Sequence, residues 1–344
     1  MKVFITGAAG YVGAMLSDQF AKLPEVEAVM ALDKDPMPKL LSQNKKISWL
    51  QANTSDGTWE DKARNFASDI VINTAWQIRP IYGDEAKEWK WNVDGSTAVF
   101  RFALSSSSVK KLIHFSTASV YGAYPGNTLE HYFKEEEPLR EDVYPYGIQK
   151  RQVEENLHSL LEKAGKGNGV QVSIVRPAAI TGPRGRAMTH RFGLQSSLSG
   201  KLTGSRVYSI IKLLVSRVPA TDGWVRQFVH EDDVADIISR LTLGETPWAL
   251  EIFNLAPPGD AVRPEDMARA VGKKVLWIYP WMARLAFFFV RHITRGVVPT
   301  ARGSWKFYSY PLLMDGSKVT KFLGHRYSVN SKEAFSKNEG RYKI

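Results

Sequence analysis

Thr6–Gly13 reads TGAAGYVG and follows directly on the strand-like run KVFIT, Lys2–Thr6. A chain that passes from strand to helix within a few residues needs a glycine for the tight turn, which is Gly7. A second, Gly10, stands where a side chain would block a pyrophosphate, and Gly13 lets the helix pack close to the strand. Phosphates would then face the start of the helix at Tyr11 and Val12, where backbone N–H groups lack partners and the positive end of the helix dipole favours negative charge. Dinucleotide binding of this kind uses an acidic residue about 20 residues further on, at the end of the second strand. Asp33 in EAVMALDKDP holds that place. A carboxylate there accepts the adenosine ribose hydroxyls and repels a 2'-phosphate, which favours NAD over NADP; the adjacent Lys34 would soften that preference.

The chain has 344 residues, enough for a nucleotide-binding domain and a smaller second lobe. It contains no cysteine, which excludes disulfides, thiolate metal sites and a cysteine nucleophile. No metal site is expected. The first residues already read as a buried strand, so no signal peptide is expected and the localisation is expected to be cytoplasmic. The 46 Lys and Arg against 35 Asp and Glu leave a formal charge of +11. Basic residues gather in PRGRAMTHR (Pro183–Arg191) and between Lys306 and Tyr327, without any nucleic-acid-binding motif. An anionic small molecule or a membrane surface fits this distribution at least as well as a nucleic acid, and ordinary solvated surface charge accounts for most individual lysines.

Short apolar runs alternate with helical stretches: Lys2–Thr6, Ala28–Leu32, Ile47–Leu50, Ile70–Asn73, Leu112–Ser116 and Val172–Val175 read as strands. Runs apolar on both faces belong to a parallel sheet covered by helices on each side. The fold class is therefore α/β, a doubly wound parallel Rossmann sheet with a smaller, interleaved α/β substrate lobe. The nucleotide-binding domain is expected over residues 1–177, with 225–256 returning to it, and the substrate lobe over 178–224 and 257–344. VLWIYPWMARLAFFFV, Val275–Val290, is the most apolar window of the chain, too short and too interrupted by Arg284 to span a membrane. A core or dimer-interface helix, the lining of an apolar pocket, and a helix lying in a membrane interface over 275–295 are all open readings.

The spacing Gly7, Gly10, Gly13 resembles the extended branch of the short-chain dehydrogenase/reductase superfamily, the NAD-dependent epimerase/dehydratase family. Further segments carry the resemblance over residues 1 to about 256. In YPYGIQK, Tyr146 precedes Lys150 by one helical turn, so both side chains share a helix face. In the family such a pair transfers protons, because a phenol titrating near 10 needs a nearby cation to act at neutral pH. FSTASVYG, Phe115–Gly122, resembles the family's hydroxyl-bearing segment and puts Thr117 at the substrate oxygen, with Ser116 its neighbour. INTAW, with Thr74, Ala75 and Trp76, resembles the turn that backs the cofactor riboses. Asn92 in WNVDGS would bond backbone and brace the active site. Asn53, followed by Thr54, stands where the family often has an Asp contacting adenine. Arg176 and Pro177 open the segment that leads from cofactor to substrate. QFVHEDDVA, Gln227–Ala235, resembles the family's Asp-Phe-Val-His-Val-Asp-Asp-Val-Ala segment, departing from it at Gln227 and Glu231.

The resemblance implies hydride transfer between NAD and a secondary alcohol, with Thr117, Tyr146 and Lys150 as catalytic residues, and members often form homodimers. Dehydratases of the family carry Asp-Glu after the Thr; Ala118 and Ser119 stand there, which argues against 4,6-dehydration. Arg184, Arg186, Arg191 and Arg226 suit the clamping of a diphosphate, which points to a nucleotide sugar. Ala178-Ala179 in place of the Asn common in sugar-nucleotide members, together with the aromatic window, points instead to an apolar alcohol, as in the related 3β-hydroxysteroid dehydrogenase branch. A third reading is a cofactor-binding regulator without catalysis.

Overall fold

The computed structural model describes residues 1–165, 169–187, 217–245, 247–270, 272–298, 300–337 and 339–342. Seven strands form one sheet: β1 (Lys2–Thr6), β2 (Ala28–Asp33), β3 (Ile47–Gln51), β4 (Ile70–Asn73), β5 (Lys111–Phe115), β6 (Gln171–Pro177) and β10 (Leu250–Leu255). Their order across the sheet is β10-β6-β5-β4-β1-β2-β3. The registered pairs are parallel, as Val3 opposite Val29 and Val3 opposite Ile70 illustrate. β4 is buried at all four positions and β5 at four of five. Strands apolar on both faces need cover on both, and helices supply it. On one face Phe4, Trp59 and Phe102 meet at ring-centroid distances of 5.2–5.8 Å, with Phe102 carried by the helix Gly95–Ser105.

The chain divides into two compact units that interleave in sequence. The first comprises Met1–Thr117, Gln149–Arg176 and Ala235–Phe253; the second comprises Ala118–Ile148, Pro177–Val234 and Asn254–Ile344. The second unit contains two short parallel pairs. One joins β7 (Ala179–Thr181) to β9 (Phe228–His230) and the other β8 (Arg217–Ala220) to β11 (Lys274–Trp277). Gln227 fastens this unit from within: its amide Nε2 donates to the Met314 carbonyl at 3.0 Å while Oε1 accepts from the Met314 N–H at 2.7 Å. A carboxylate at this position accepts but does not donate, which gives the departure from Asp a physical reason.

The apolar window does not form one element. Lys274–Trp277 is β11, and Pro280 then opens a helix that runs to Ile293. Proline suits a first helical turn because the missing N–H has no helical partner there. The helix is not a core helix either, since Ala283 is its one fully buried side chain.

β1 turns into the helix Tyr11–Lys22 through Gly7, whose φ is +74°, the left-handed region that glycine adopts without strain. A Cβ on Gly13 would lie 2.2 Å from the Gly7 carbonyl oxygen and 2.8 Å from Thr74 Oγ1. Helix and turn are therefore in backbone contact. Gly13→Ala has no room to relax and is expected to cost at least the ~1–3 kcal/mol of an overpacked core. Urea denaturation followed by tryptophan fluorescence measures it, and a variant as stable as the wild type would contradict the close approach.

Candidate active site

The glycine turn and the strand ends around it lie in the first unit. Gly7 approaches the chain after β4 so closely that a Cβ would fall 2.6 Å from Ala75 Cα. Thr74 Oγ1 donates to the Thr6 carbonyl at 2.6 Å and fixes that approach. Gly10, the N-cap of the first helix, has no side chain to cap it, and a Cβ there would meet just the Gly7 oxygen, at 3.1 Å. The space above it is open, as a pyrophosphate on the N–H groups of Tyr11 and Val12 requires.

Asp33 closes β2 with its carboxylate turned to this turn: Oδ2 accepts from the Ala9 N–H at 2.9 Å and Oδ1 from the Asp35 N–H at 3.0 Å. A carboxylate has about four acceptor positions, so two bonds leave capacity for ribose hydroxyls. Lys34 directs its ammonium to Asp35 Oδ2 at 2.7 Å. Asn53 caps the turn Thr54–Asp56 by accepting from the Ser55 N–H at 3.0 Å, and Thr54 is buried against Gly95. The open cap at Gly10, the Cβ-free turn and the carboxylate beside it fit a dinucleotide.

At the far ends of β4 and β5, Asn92 occupies one π-helical turn, Lys90–Asp94, between two α-helices. Insertions of this kind re-aim a side chain. Asn92 Oδ1 accepts from the Gln77 N–H at 2.7 Å, and Nδ2 donates to Gln149 Oε1 at 2.7 Å and to the Gln77 carbonyl at 3.2 Å. Gln149 in turn donates to Glu88 Oε1 at 3.1 Å, while Glu88 Oε2 accepts from the Ile81 N–H. The loop after β4 is thus tied to the helix that carries Lys150.

Lys150 is buried, with its ammonium on the Phe115 carbonyl at 2.5 Å and 3.6 Å from the centre of the Trp76 ring. Burial pulls its pKa down to about 7, against the partial support of Glu154 one turn further along the helix. Glu154 is itself fully buried and accepts a forked contact from Arg176, at 2.6 Å from Nη2 and 3.1 Å from Nε, together with a bond from the Ser116 hydroxyl. Arg176 and Ser116 thereby meet on a residue that sequence reading passed over, although Tyr146, Lys150 and Glu154 follow one another at i, i+4, i+8. Thr117 follows Ser116 and is also buried. Beside them His114 faces Asn73 Nδ2 at 3.3 Å. Asn73 Oδ1 accepts from Thr6 Oγ1 at 2.7 Å, which leaves its NH2 to donate to His114 Nδ1. Burial first, and then the Lys150 charge, hold the imidazole well below its usual pKa, so it is neutral. Among the described residues no group of three or more His, Cys, Asp or Glu could hold a metal ion.

The second unit holds the other predicted residues. Pro145 opens the helix Pro145–Ala164, whose first turn contains half-buried Tyr146, its ring centroid 5.7 Å from that of Tyr144. Buried Glu141 braces the approach to this helix, accepting from the N–H groups of Val143 and Tyr144 at 2.8 and 2.7 Å. Pro177 ends β6. The N–H groups of Arg184 and Gly185 fall on the fully buried Glu231 carboxylate, at 3.2 and 3.3 Å, while the Arg184 guanidinium lies 4.2 Å from the Tyr342 ring centre. Glu231, the other departure in its segment, is thus a helix cap. Arg226 donates to the carbonyls of Val225, Tyr310 and Phe307. The side chain of Arg186, and Arg191 altogether, lie outside the described residues.

Residues 3–256 match the NAD dependent epimerase/dehydratase family, and the chain belongs to that family. NAD is accordingly its cofactor. An uncharacterised protein of Mycobacterium tuberculosis is 23% identical over 97% of this chain and 82% of its own length. The UDP-D-apiose/UDP-D-xylose synthase 1 of Arabidopsis thaliana is 25% identical over 78% of this chain and 73% of its own. Among solved structures, the Bordetella bronchiseptica enzyme WbmG in complex with NAD and UDP superposes with a TM-score of 0.68 at 21% identity, covering 97% of this chain and 91% of WbmG. MoeE5 in complex with UDP-glucuronic acid and NAD gives 0.67 at 18%, covering 98% and 97%. At these identities the solved structures establish the shared fold.

The lowered pKa of Lys150 has a consequence for the cofactor-free protein. Below about 7 both folded and unfolded states hold the proton; above the ordinary lysine value of 10.5 neither does. Between those limits the unfolded chain binds one proton more, so stability rises with pH. Lys150→Met is expected to remove ~1 kcal/mol per pH unit from the slope of unfolding free energy between pH 8 and 9.5, roughly one proton's worth. Identical slopes would place the ammonium in a solvated setting.

Proposed function

We propose that this protein is an NAD-dependent oxidoreductase/epimerase acting on a secondary alcohol of a nucleotide sugar, with Tyr146 as acid/base. The observation that carries the reading is Lys150: a buried cation fixed on the carbonyl that ends β5, one helical turn from Tyr146. NAD would be held by the turn Gly7–Gly13, with Asp33 at the adenosine ribose, the Asn53-Thr54 turn at the adenine, and Thr74–Trp76 behind the riboses. Bound there, NAD would supply the hydride acceptor, and in its reduced form the hydride donor, for the alcohol carbon. Tyr146 removes the alcohol proton as hydride leaves, and gives it back on reduction. Lys150 would stabilise the phenolate by its charge and bond the nicotinamide ribose; Thr117 would orient the reacting oxygen. Acid–base help of this kind contributes about 100- to 10,000-fold.

Two considerations support the nucleotide sugar. The plant relative is named for UDP-sugar chemistry, and the structural neighbours hold UDP or UDP-glucuronic acid beside NAD. Arg184 and Arg226 are the candidate partners of the diphosphate, Arg226 by exchanging carbonyl for phosphate oxygens. The apolar-alcohol reading drew on Ala178-Ala179 and on the aromatic window; the helix there presents Trp281, Phe288 and Phe289 outward, which weakens the second ground. Ala118 and Ser119 leave no acid/base pair after Thr117 for elimination, so 4,6-dehydration is not part of the proposal.

Tyr146→Phe is expected to lower kcat about 100- to 10,000-fold with NAD affinity unchanged; intact turnover would rule out the phenol. In thermal-shift titrations NAD is expected to bind more tightly than NADP, and Asp33→Ala to narrow the difference. UDP- and dTDP-sugars at 100 times their Kd are expected to add ~2.7 kcal/mol of stability, and sterols none. Stabilisation by sterols alone would overturn the substrate class.

A further inference from the structure

The helix Pro280–Ile293 exposes a continuous apolar face. Trp281, Phe288 and Phe289 are 56–60% exposed and Ile293 80%. At 100° per residue, Trp281, Met282, Leu285, Phe288, Phe289 and Ile293 fall within one sector of the helix, which also contains His292. On the opposite side Phe287 packs on Tyr308 at 4.9 Å between ring centroids, while exposed Arg284 lies 5.9 Å from the Trp305 ring centre. The preceding residues continue the exposed apolar surface: Trp277 and Tyr279 are more than half exposed. An apolar patch of this extent on a soluble fold marks a contact surface.

The charge of the segment that carries the patch selects the occupant. No aspartate or glutamate occurs between Asp266 and Asp315, whereas Lys273, Lys274, Arg284, Arg291, Arg295 and Arg302 do. We propose that this face docks on an anionic lipid bilayer. The helix would lie in the interface plane with Trp281, Phe288 and Phe289 among the acyl chains and the exposed Arg284 and Arg295 at the headgroups, where tryptophan and tyrosine also partition. No described helix is long and apolar enough to cross a membrane, so the contact is peripheral. A second copy of the chain is a poorer occupant, because a two-fold contact would set this acid-free stretch against itself and bring like charges together. The proposal does not depend on the substrate assigned above.

The full chain is to be sedimented with vesicles of phosphatidylcholine alone and with added phosphatidylserine, at low and high salt, alongside analytical ultracentrifugation. Binding to the serine-containing vesicles that weakens with salt is expected, with each of Arg284→Gln and Arg295→Gln reducing it about fivefold, the equivalent of ~1 kcal/mol per cation. Trp281→Ser, Phe288→Ser and Phe289→Ser together are expected to abolish it, with the far-UV dichroism unchanged. Phe288→Ser alone, a single exposed position, is expected to weaken it and keeps the test sound if the triple variant misfolds. Absence of vesicle binding, binding indifferent to Phe288→Ser, or a dimer that Phe288→Ser dissociates would each overturn the proposal.

Discussion

The carbonyl oxygen of Gly7 is the point about which the cofactor end of the fold is arranged. It lies where Gly13 passes too close for any side chain, and the same turn presses on the backbone after β4. Those two approaches fix the direction of the first helix, and with it the open N–H groups proposed to face the phosphates. They also bring Ala9 to Asp33, so that one short turn sets the proposed phosphate site and the proposed ribose acceptor together. A methyl group at Gly13 would disturb β1, the first helix and the loop after β4 in a single step.

A second constraint is the placing of charge where water does not reach. Lys150, Glu154 and Arg176 are all buried within the first unit. Such a group gains little net stability over an apolar cluster, because desolvation offsets most of the attraction. Its effect is on titration and position. Glu154 is held by Arg176 and Ser116, and its residual field keeps Lys150 from falling further than about 7. The lysine therefore stands near the middle of its titration at neutral pH, where its charge responds strongly to anything bound beside it. His114, neutral behind it, adds polarity without a competing cation.

The strands were legible because runs such as IVIN and KLIHF are apolar at adjacent positions, a pattern that fits a sheet covered twice. Boundaries moved by a residue or so where a polar end such as Asp33 or Gln51 continued the hydrogen bonding. Tyr146 and Lys150 were legible as a helical pair, and extending the same spacing reaches Glu154. Its partner Arg176 was not, since the two meet through folding and 22 residues separate them. The aromatic window left three readings open because apolar content does not say which way a face points; of these the structure argues against a core helix. Pro280, a helix-start signal in plain sight, already marked where strand gave way to helix.

Net charge conceals a similar division. A total of +11 suggests one basic surface, but the structure sorts the cations by what they meet. Lys150 and Arg176 are interior groups, Arg184 stacks on Tyr342, and Arg226 holds three carbonyls, so these shape the molecule from inside. Lys34 and Lys110 sit on neighbouring aspartates at the surface, pairs of small energetic weight. The stretch 267–314 carries eight Lys and Arg without an acid, together with the exposed aromatic helix. Electrostatic attraction to an anionic surface depends on that local density within a screening length, not on the sum over the chain. The segment's character is therefore set by where the acids are absent as much as by where the arginines stand.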